Sequence, residues 1–154
     1  MARFGSSSKK VLIIGAGGGV GISGVQIAAS AGARVIATTG ERSIELVKKL
    51  GAHHVINYKS DWVQEVKKIV GDRGVDVIVD FYGGDSFSKA LDVAANRARG
   101  AAIVGNLEGN FQQACNKNMT LFFEMFAREG LFEKYKDFKR EMLMTFFCKK
   151  IFFW

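Results

Sequence analysis

Glycines dominate a seven-residue run near the start of the chain, GAGGGVG at residues 15–21. Backbone without side chains can approach a ligand closely, and the amino end of a helix offers free N–H groups and partial positive charge. The run fits the spacings GxxGxxG and GxxxGxG, and together with Gly24 it fits GxGxxG; it lies between a predicted strand and a predicted helix. This context predicts a cradle for the pyrophosphate of a dinucleotide; the alternative is a tight turn without a ligand. The expected contacts are Gly15, Gly18, Gly19, Val20 and Gly21.

The segment after the second predicted strand bears on the choice of nucleotide. An acidic side chain at this place usually holds the ribose of NAD, but residues 38–40 are Thr-Thr-Gly, followed by Glu41, Arg42 and Ser43. Arg42 and the hydroxyls can hold a 2′-phosphate through charge-assisted hydrogen bonds, although Glu41 opposes this. We therefore expect NADPH in preference to NADH; the alternative role of Arg42 is to open a helix. The expected contacts are Thr39, Gly40, Arg42 and Ser43.

Strand and helix signals alternate from residue 11 to about residue 106. The predicted strands are Val11–Ile14, Arg34–Thr39, His54–Tyr58, Val75–Phe81 and Ala101–Gly105. The predicted helices are Val20–Ala31, Ser43–Leu50, Asp61–Val70 with Ser60 or Asp61 as its cap, and about Asp85–Asn96. Strict alternation with right-handed crossovers predicts an α/β fold of the Rossmann type, with a doubly wound parallel sheet in a single domain. Its ligand crevice is expected at the carboxyl ends of the strands.

The regular pattern ends after residue 106. Leu107–Asn118 is polar and predicts a loop, whereas Met119–Phe126 predicts either an edge strand or a buried helix. The remainder is rich in lysine and then in aromatic residues, and it predicts an atypical C-terminal extension. We therefore expect a flexible start at residues 1–10, a dinucleotide-binding domain at 11–126, and an extension of uncertain structure at 127–154.

Composition excludes several function classes. A chain of 154 residues that is 48% hydrophobic can bury one sizeable core. Its net charge of +7 comes from dispersed lysine pairs, which favours solvated helix faces over a nucleic-acid site. Two cysteines and two adjacent histidines predict no metal site. No apolar run is long enough to span a membrane and the start lacks a signal-peptide core, so a cytoplasmic protein is expected, with mitochondria as the second choice.

Four stretches together resemble the cofactor domain of medium-chain dehydrogenases/reductases, and most closely the zinc-independent quinone oxidoreductase and reticulon-interacting branches. The stretches are GAGGGVG, VIATTGERSIELVKKLGAHHVINY, VDVIVDFYGGDSFSKAL and AAIVGN, and the resemblance covers roughly residues 9–126. It implies an NADPH-dependent oxidoreductase that transfers hydride to a quinone or an activated alkene. Gly18–Gly21 would cradle the pyrophosphate, and Thr39–Ser43 would hold the adenosine phosphate.

The same resemblance assigns the remaining site residues. Tyr58 would pack near the adenosine end, and Asp80, Phe81 and Gly83 would lie beside the adenine and ribose, with ordinary packing as the alternative for Tyr58 and Phe81. The stretch by the nicotinamide would be Val104, Gly105, Asn106 and Leu107. Met119–Phe126 would pair two subunits in a homodimer.

The sequence departs from the family pattern in four places. Asn96–Gly100 replaces the usual Pro-Gly-Gly turn, and Arg42 only approximates the usual basic residue near Ser43. The catalytic domain expected before Val11 and the final strand expected after Phe126 are missing. We therefore expect NADPH binding without appreciable turnover by this chain alone, and we nominate no catalytic residue.

Two other functions stay open at this point. The chain could be a non-catalytic dinucleotide-binding or interaction module whose aromatic tail docks on another subunit. It could also be a short-chain reductase, because Gly15, Gly19 and Gly21 fit that loop and residues 135–139 spell YxxxK. In that mechanism Tyr135 would be the acid and Lys139 would lower the pKa of the tyrosine from one helical turn away.

Overall fold

Six parallel strands form one sheet in the part of the chain that the computed structural model describes, residues 8–103 and 107–123. The strands are β1 (Lys10–Ile14), β2 (Arg34–Thr39), β3 (His54–Asn57), β4 (Val75–Asp80), β5 (Ala94–Ala102) and β6 (Thr120–Phe123). Their spatial order is β3-β2-β1-β4-β5-β6. This is the order of a doubly wound dinucleotide-binding fold, so the predicted Rossmann-type fold is confirmed.

Five helices connect these strands. They are α1 (Gly19–Ser30), α2 (Ile44–Lys49), α3 (Trp62–Val70), α4 (Ser86–Ala90) and α5 (Gln112–Asn116). Short 3-10 turns precede α2 at Glu41–Ser43, follow α3 at Gly71–Arg73 and follow α4 at Leu91–Val93. Side chains alternate along β1, so that Val11 and Ile13 face the layer of α1 and α2 while Leu12 and Ile14 face the layer of α3, α4 and α5. The central strand is therefore apolar on both faces.

Helix α3 shows how the sequence positions an element. Asp61 precedes it, and its side chain accepts a hydrogen bond from the Gln64 N–H at 3.2 Å. The cap is therefore Asp61, whereas the Ser60 hydroxyl contacts the Asn57 carbonyl and the Glu65 carboxylate. Val66 and Val70 are the buried residues of the helix, as its amphipathic pattern predicts.

The predicted boundary between the fourth helix and the fifth strand is wrong. Residues 94–96, which alanine propensity assigns to a helix, belong to β5, because Ala94 pairs with Val75 on β4. The register then shifts between Val75 and Val77, and Arg97 in the bulge has φ 61°. Pairing with a buried strand has overridden the local helix preference.

The segment after residue 106 also differs from the expected loop. It contains α5, whose Ala114 is buried against the α3 and α4 layer. The open choice for Met119–Phe126 resolves to a strand at Thr120–Phe123, which pairs with β5 through Leu121 and Gly100 among others. No helix in the described ranges is long and apolar enough to cross a membrane.

Several predictions fall outside the described residues. These are the contacts at Val104, Gly105 and Asn106, the flexible start except its last residues, the domain end at residue 126, the extension at 127–154, and the Tyr135 and Lys139 pair.

Candidate functional site

The strand order places the site between β1 and β4. Their carboxyl ends lie side by side, with Ile14 paired to Asp80, while the following helices α1 and α4 pack on opposite faces of the sheet. Such a switch point opens a crevice at the strand ends. The glycine run follows β1, and the next strand ends at Thr39, so the predicted pyrophosphate and adenosine-phosphate segments meet at this edge.

The backbone of the glycine loop leaves three amide groups free. Gly15 has φ +77°, a conformation that favours glycine, and the Gly18 N–H donates to the Gly15 carbonyl at 3.2 Å. The first backbone bond of α1 runs from Ile22 to Gly18 at 2.9 Å. Consequently the N–H groups of residues 19–21 have no acceptor among the described residues. Neither a side-chain cap nor an acidic residue occupies the first turn of α1, so its positive end is uncompensated.

The glycines of this loop serve two different purposes. A Cβ on Gly21 would lie 2.7 Å from the Ala16 Cα and 2.9 Å from the Ala16 carbonyl carbon, so this glycine lets the helix pack against the loop backbone. A Cβ on Gly19 would meet nothing within 4 Å. Internal packing therefore explains why position 21 is a glycine, but it does not explain why position 19 is. The open face of Gly19 adjoins the free amides. The arrangement presents unpaired amides on an open face, and such groups can donate hydrogen bonds to an anion.

Gly17 was not among the predicted contacts, yet it joins the loop to the end of β2. A Cβ on Gly17 would overlap the Thr39 hydroxyl and would lie 2.8 Å from the Ser43 Cβ. Its missing side chain brings the loop against both residues. No spacing motif starts at Gly17, so only the tertiary contact identifies it.

The predicted adenosine-phosphate contacts, residues 39–43, lie together at the end of β2. Gly40 precedes the 3-10 turn, and its carbonyl accepts a hydrogen bond from the Ser43 N–H at 3.0 Å. Thr39 is buried, with 3% of its surface exposed. Arg42 is exposed and forms no ion pair with any described residue. An unpaired guanidinium at this position is available to an anionic group.

Two tyrosines lie over the strand ends. Tyr58, 48% exposed, follows β3, and its ring lies 3.3 Å from the position that a Cβ on Gly40 would take. Tyr82, 67% exposed, follows β4, and its Cβ lies 3.3 Å from the position that a Cβ on Gly15 would take. Their ring centroids are 6.2 Å apart and the rings are inclined by 26°. Tyr82 was not predicted, because a tyrosine next to glycines has no sequence signature for this role. An exposed stacked pair is a surface that a flat heterocycle can contact.

Phe81 and Leu107 have different surroundings. Phe81 packs against the face of α1 at Gly24, where a Cβ would lie 2.8 Å from the phenyl ring, so it fills the space between helix and sheet. Leu107 forms an isolated parallel bridge with Gly84, and the Glu108 N–H donates to the Gly84 carbonyl at 2.8 Å. The turn after β4 therefore contacts the predicted nicotinamide segment.

Asp80 is fully buried at the base of this turn. Its Oδ1 accepts hydrogen bonds from the N–H groups of Tyr82 at 2.7 Å and Gly83 at 3.1 Å. Its Oδ2 lies 2.6 Å from the Ser86 hydroxyl oxygen, which also lies 2.6 Å from the Gly83 carbonyl oxygen. Burial raises the pKa of Asp80, and its hydrogen bond with Ser86 and those from the two amides oppose that rise.

These features define a Rossmann-type α/β domain with a glycine-rich loop and unpaired amides at its switch point. Comparison with known proteins agrees. The sequence model of the zinc-binding dehydrogenase family matches residues 19–144. The chain therefore belongs to this family, and its relatives place it with the quinone oxidoreductase-like medium-chain dehydrogenases/reductases.

Individual relatives support this placement. A quinone oxidoreductase of Rattus norvegicus is 37% identical over 113 residues, which cover 72% of this chain and 33% of that protein. A 2-haloacrylate reductase of Burkholderia sp is 44% identical over 94 residues, 60% of this chain and 28% of that protein. The crystal structure of AibC superposes with a TM-score of 0.70 at 34% identity, covering 77% of this chain and 37% of that one. The chain spans about a third of the length of the curated relatives that it matches.

Residues 8–103 and 107–123 contain no group of three or more His, Cys, Asp or Glu side chains placed to hold a metal ion. The two histidines bind protein groups: His53 Nδ1 accepts from the Val35 N–H at 3.2 Å, and His54 Nε2 lies 3.1 Å from an Arg34 nitrogen.

Proposed function

We propose that this domain binds NADPH, with the pyrophosphate on the free N–H groups of Gly19, Val20 and Gly21. The observation that carries the proposal is the open face of Gly19, where a Cβ would meet nothing within 4 Å, beside amides with no described acceptor. Gly15 and Gly18 shape the loop, and their carbonyl and amide bond to each other at 3.2 Å. The positive end of α1, without an acidic residue in its first turn, favours a doubly charged group.

The preference for NADPH over NADH is based on Arg42. No acidic residue ends β2 or follows it directly, and the first acidic side chain after the strand is the exposed Glu41. Arg42 is exposed and unpaired among the described residues, and Ser43 lies against Gly17 of the loop. A 2′-phosphate at this place would meet a guanidinium and a hydroxyl.

The adenosine would lie along the Tyr58 and Tyr82 side of the crevice, and the nicotinamide would lie toward Leu107 and the neighbouring predicted contacts Val104–Asn106. Reduced nicotinamide supplies a hydride, and we propose a quinone or an activated alkene as the acceptor. Conjugation already activates such acceptors, so the proposal includes no zinc. This chain's residues bind and orient the cofactor; the second wall of the cleft would come from a catalytic domain such as the longer relatives have room for. Binding without appreciable turnover is the expectation for this chain alone.

Thermal unfolding of the full chain with NADPH, with NADH and without ligand tests the proposal. A ligand at about 100 times its dissociation constant adds roughly 2.7 kcal/mol to the free energy of unfolding. NADPH should raise the melting temperature more than NADH. Arg42→Ala should remove most of that difference, while Lys49→Ala, the same loss of charge at another exposed position on the adjoining helix, should retain it. Equal shifts with both nucleotides in the unaltered chain would refute NADPH preference, and no shift with either would refute binding. Quinone reduction at a normal enzymatic rate would refute the proposed incompleteness.

A homodimer through Met119–Phe126 is part of the proposal. Strand β6 lies at the edge of the described sheet, and Phe123 on it is 51% exposed. Strand pairing between two copies would cover such an edge. Size-exclusion chromatography with light scattering should show twice the chain mass of 16.9 kDa, and a strict monomer at all concentrations would contradict the pairing.

A further inference from the structure

The buried hydrogen bonds of Asp80 involve more oxygen–oxygen contacts than the Ser86 hydroxyl has protons to supply. Asp80 Oδ2 and the Gly83 carbonyl oxygen both lie 2.6 Å from the Ser86 hydroxyl oxygen. Both distances are hydrogen-bond lengths between oxygens, so each contact needs a proton. A serine hydroxyl has one proton, and a carbonyl oxygen has none.

An ionised Asp80 cannot complete this network. As a carboxylate it would accept only, and the single Ser86 proton could serve either Asp80 or Gly83 but not both. The other contact would then bring two oxygen lone pairs together at 2.6 Å inside the protein. One more proton, on Asp80 Oδ2, completes the network. Asp80 then donates to Ser86, Ser86 donates to Gly83, and Oδ1 remains the carbonyl oxygen that accepts the two backbone N–H groups.

The surroundings of Asp80 supply no cation to hold a negative charge. Asp80 is 0% exposed and forms no ion pair with any described residue. On the helix that packs beside it, Asp85 and Lys89 pair with each other at 2.6 Å and are exposed. Glu108, on the segment bonded to the turn, is exposed, as is Tyr82. A buried carboxyl group without a cation favours its neutral form.

We propose that Asp80 is a neutral carboxylic acid in the folded domain, and that its bonds through Ser86 to Gly83 position the turn that lines the crevice. Burial acts in the same direction, since it raises the pKa of this carboxyl group. The turn carries Tyr82 on one side and the bridge from Gly84 to Leu107 on the other. Its role toward a ligand rests on the proposed function. A neutral Asp80 also keeps a negative charge away from the base of a crevice proposed to bind an anion.

The pH dependence of unfolding of the full chain without nucleotide tests the protonation state. Above the ordinary aspartate value of 3.8, the unfolded chain releases the Asp80 proton that the folded chain retains. Stability relative to Asp80→Asn should therefore fall as pH rises, with the unfolding constant of the unaltered chain increasing about tenfold per pH unit up to the folded pKa. A ratio that stays constant or moves the other way between about pH 5 and pH 7 would overturn the proposal.

Asp76→Asn is the matched control on the same strand. Asp76 faces cations, with Arg73 at 3.2 Å and Lys9 at 3.9 Å, and it accepts the Lys10 N–H at 2.8 Å. The same change from carboxyl to amide here removes ion pairs. A fall in relative stability with rising pH that is equal for both substitutions would therefore be a general effect of removing a carboxyl group, and it would count against the proposal.

NMR of the unaltered chain measures the protonation state of Asp80 without any variant, so the result does not depend on whether a variant folds. The chemical shift of the Asp80 carboxyl carbon, assigned through its own backbone, should be that of a protonated acid at pH 6 in the unaltered chain. An ionised shift there would overturn the proposal. Neither measurement uses NADPH, so failure here and failure of nucleotide binding are separate results. If the turn is positioned in this way, Ser86→Ala should shift the amide resonances of Tyr82 and Gly84 while leaving those of the β2 end unchanged.

Discussion

Gly19 and Gly21 lie two positions apart in one helical turn, and substituting each by alanine separates ligand binding from folding. Gly19 is the first residue of α1 and does not have a positive φ. A methyl group there would meet no protein atom within 4 Å. Alanine also loses less conformational freedom than glycine on entering a helix. Gly19→Ala should therefore leave the free energy of unfolding unchanged or raise it by up to about 1 kcal/mol.

The same methyl group would occupy the open face beside the free amides. A phosphate that contacts these N–H groups could no longer approach Gly19 closely. We expect NADPH to bind at least about tenfold more weakly, which corresponds to roughly 1.4 kcal/mol of binding free energy. Gly21→Ala should do the opposite, because its Cβ would lie 2.7 Å and 2.9 Å from backbone atoms of Ala16 that have no freedom to turn away. Overpacking of this kind costs about 1–3 kcal/mol of stability.

Two assays on each variant decide the outcome. Urea denaturation gives the free energy of unfolding, and calorimetric titration with NADPH gives the affinity. The expected pattern is a stable Gly19→Ala with weak binding and a destabilised Gly21→Ala. A Gly19→Ala variant that is folded and binds NADPH as tightly as the unaltered chain would refute the location of the pyrophosphate. A Gly21→Ala variant with unchanged stability would refute the packing argument.

Two further predictions concern the scaffold. Arg97 is exposed with φ 61°, so Arg97→Gly should raise the free energy of unfolding in urea by about 1 kcal/mol. Asn96, which does not have a positive φ, is the control, and Asn96→Gly should lower stability. A less stable Arg97→Gly would show that the backbone of Arg97 is not strained. Burial, Arg34 and His53 lower the pKa of His54 below its ordinary 6.5. The folded state therefore disfavours the protonated ring, and stability should fall as pH decreases below about 6.5. His54→Gln should show a smaller drop in melting temperature from pH 8 to pH 5, and an equal drop would contradict this reasoning.

The sheet and its crevice follow from local sequence patterns. Val11–Ile14 is apolar on both faces because both faces are covered, and its continuous run predicted a central strand. The glycine run and the β2 end were predicted from residue types that can contact a phosphate, and the structure places both at the carboxyl ends of the strands. The structure brings these two segments together through Gly17, a contact that no spacing in the sequence indicates.

Other features depend on tertiary contacts. Ala94 and Ala95 have helical propensity, but pairing with Val75 extends them as part of β5. Asp80 ends an apolar strand, and nothing in the sequence indicates that its carboxyl group is fully buried or forms a hydrogen bond with Ser86. Tyr82 and Tyr58 lie 24 positions apart, and only the order of the strands makes them neighbours.

The central claim is that the amides at the start of α1 receive the pyrophosphate, and titration of isotope-labelled full chain with NADPH by amide NMR tests it most directly. The claim predicts saturable shifts of the Gly19, Val20 and Gly21 N–H resonances at one common affinity, with those of α3 on the opposite face of the sheet unmoved. NADPH binding that leaves these three resonances in place, or no binding at all, would contradict it.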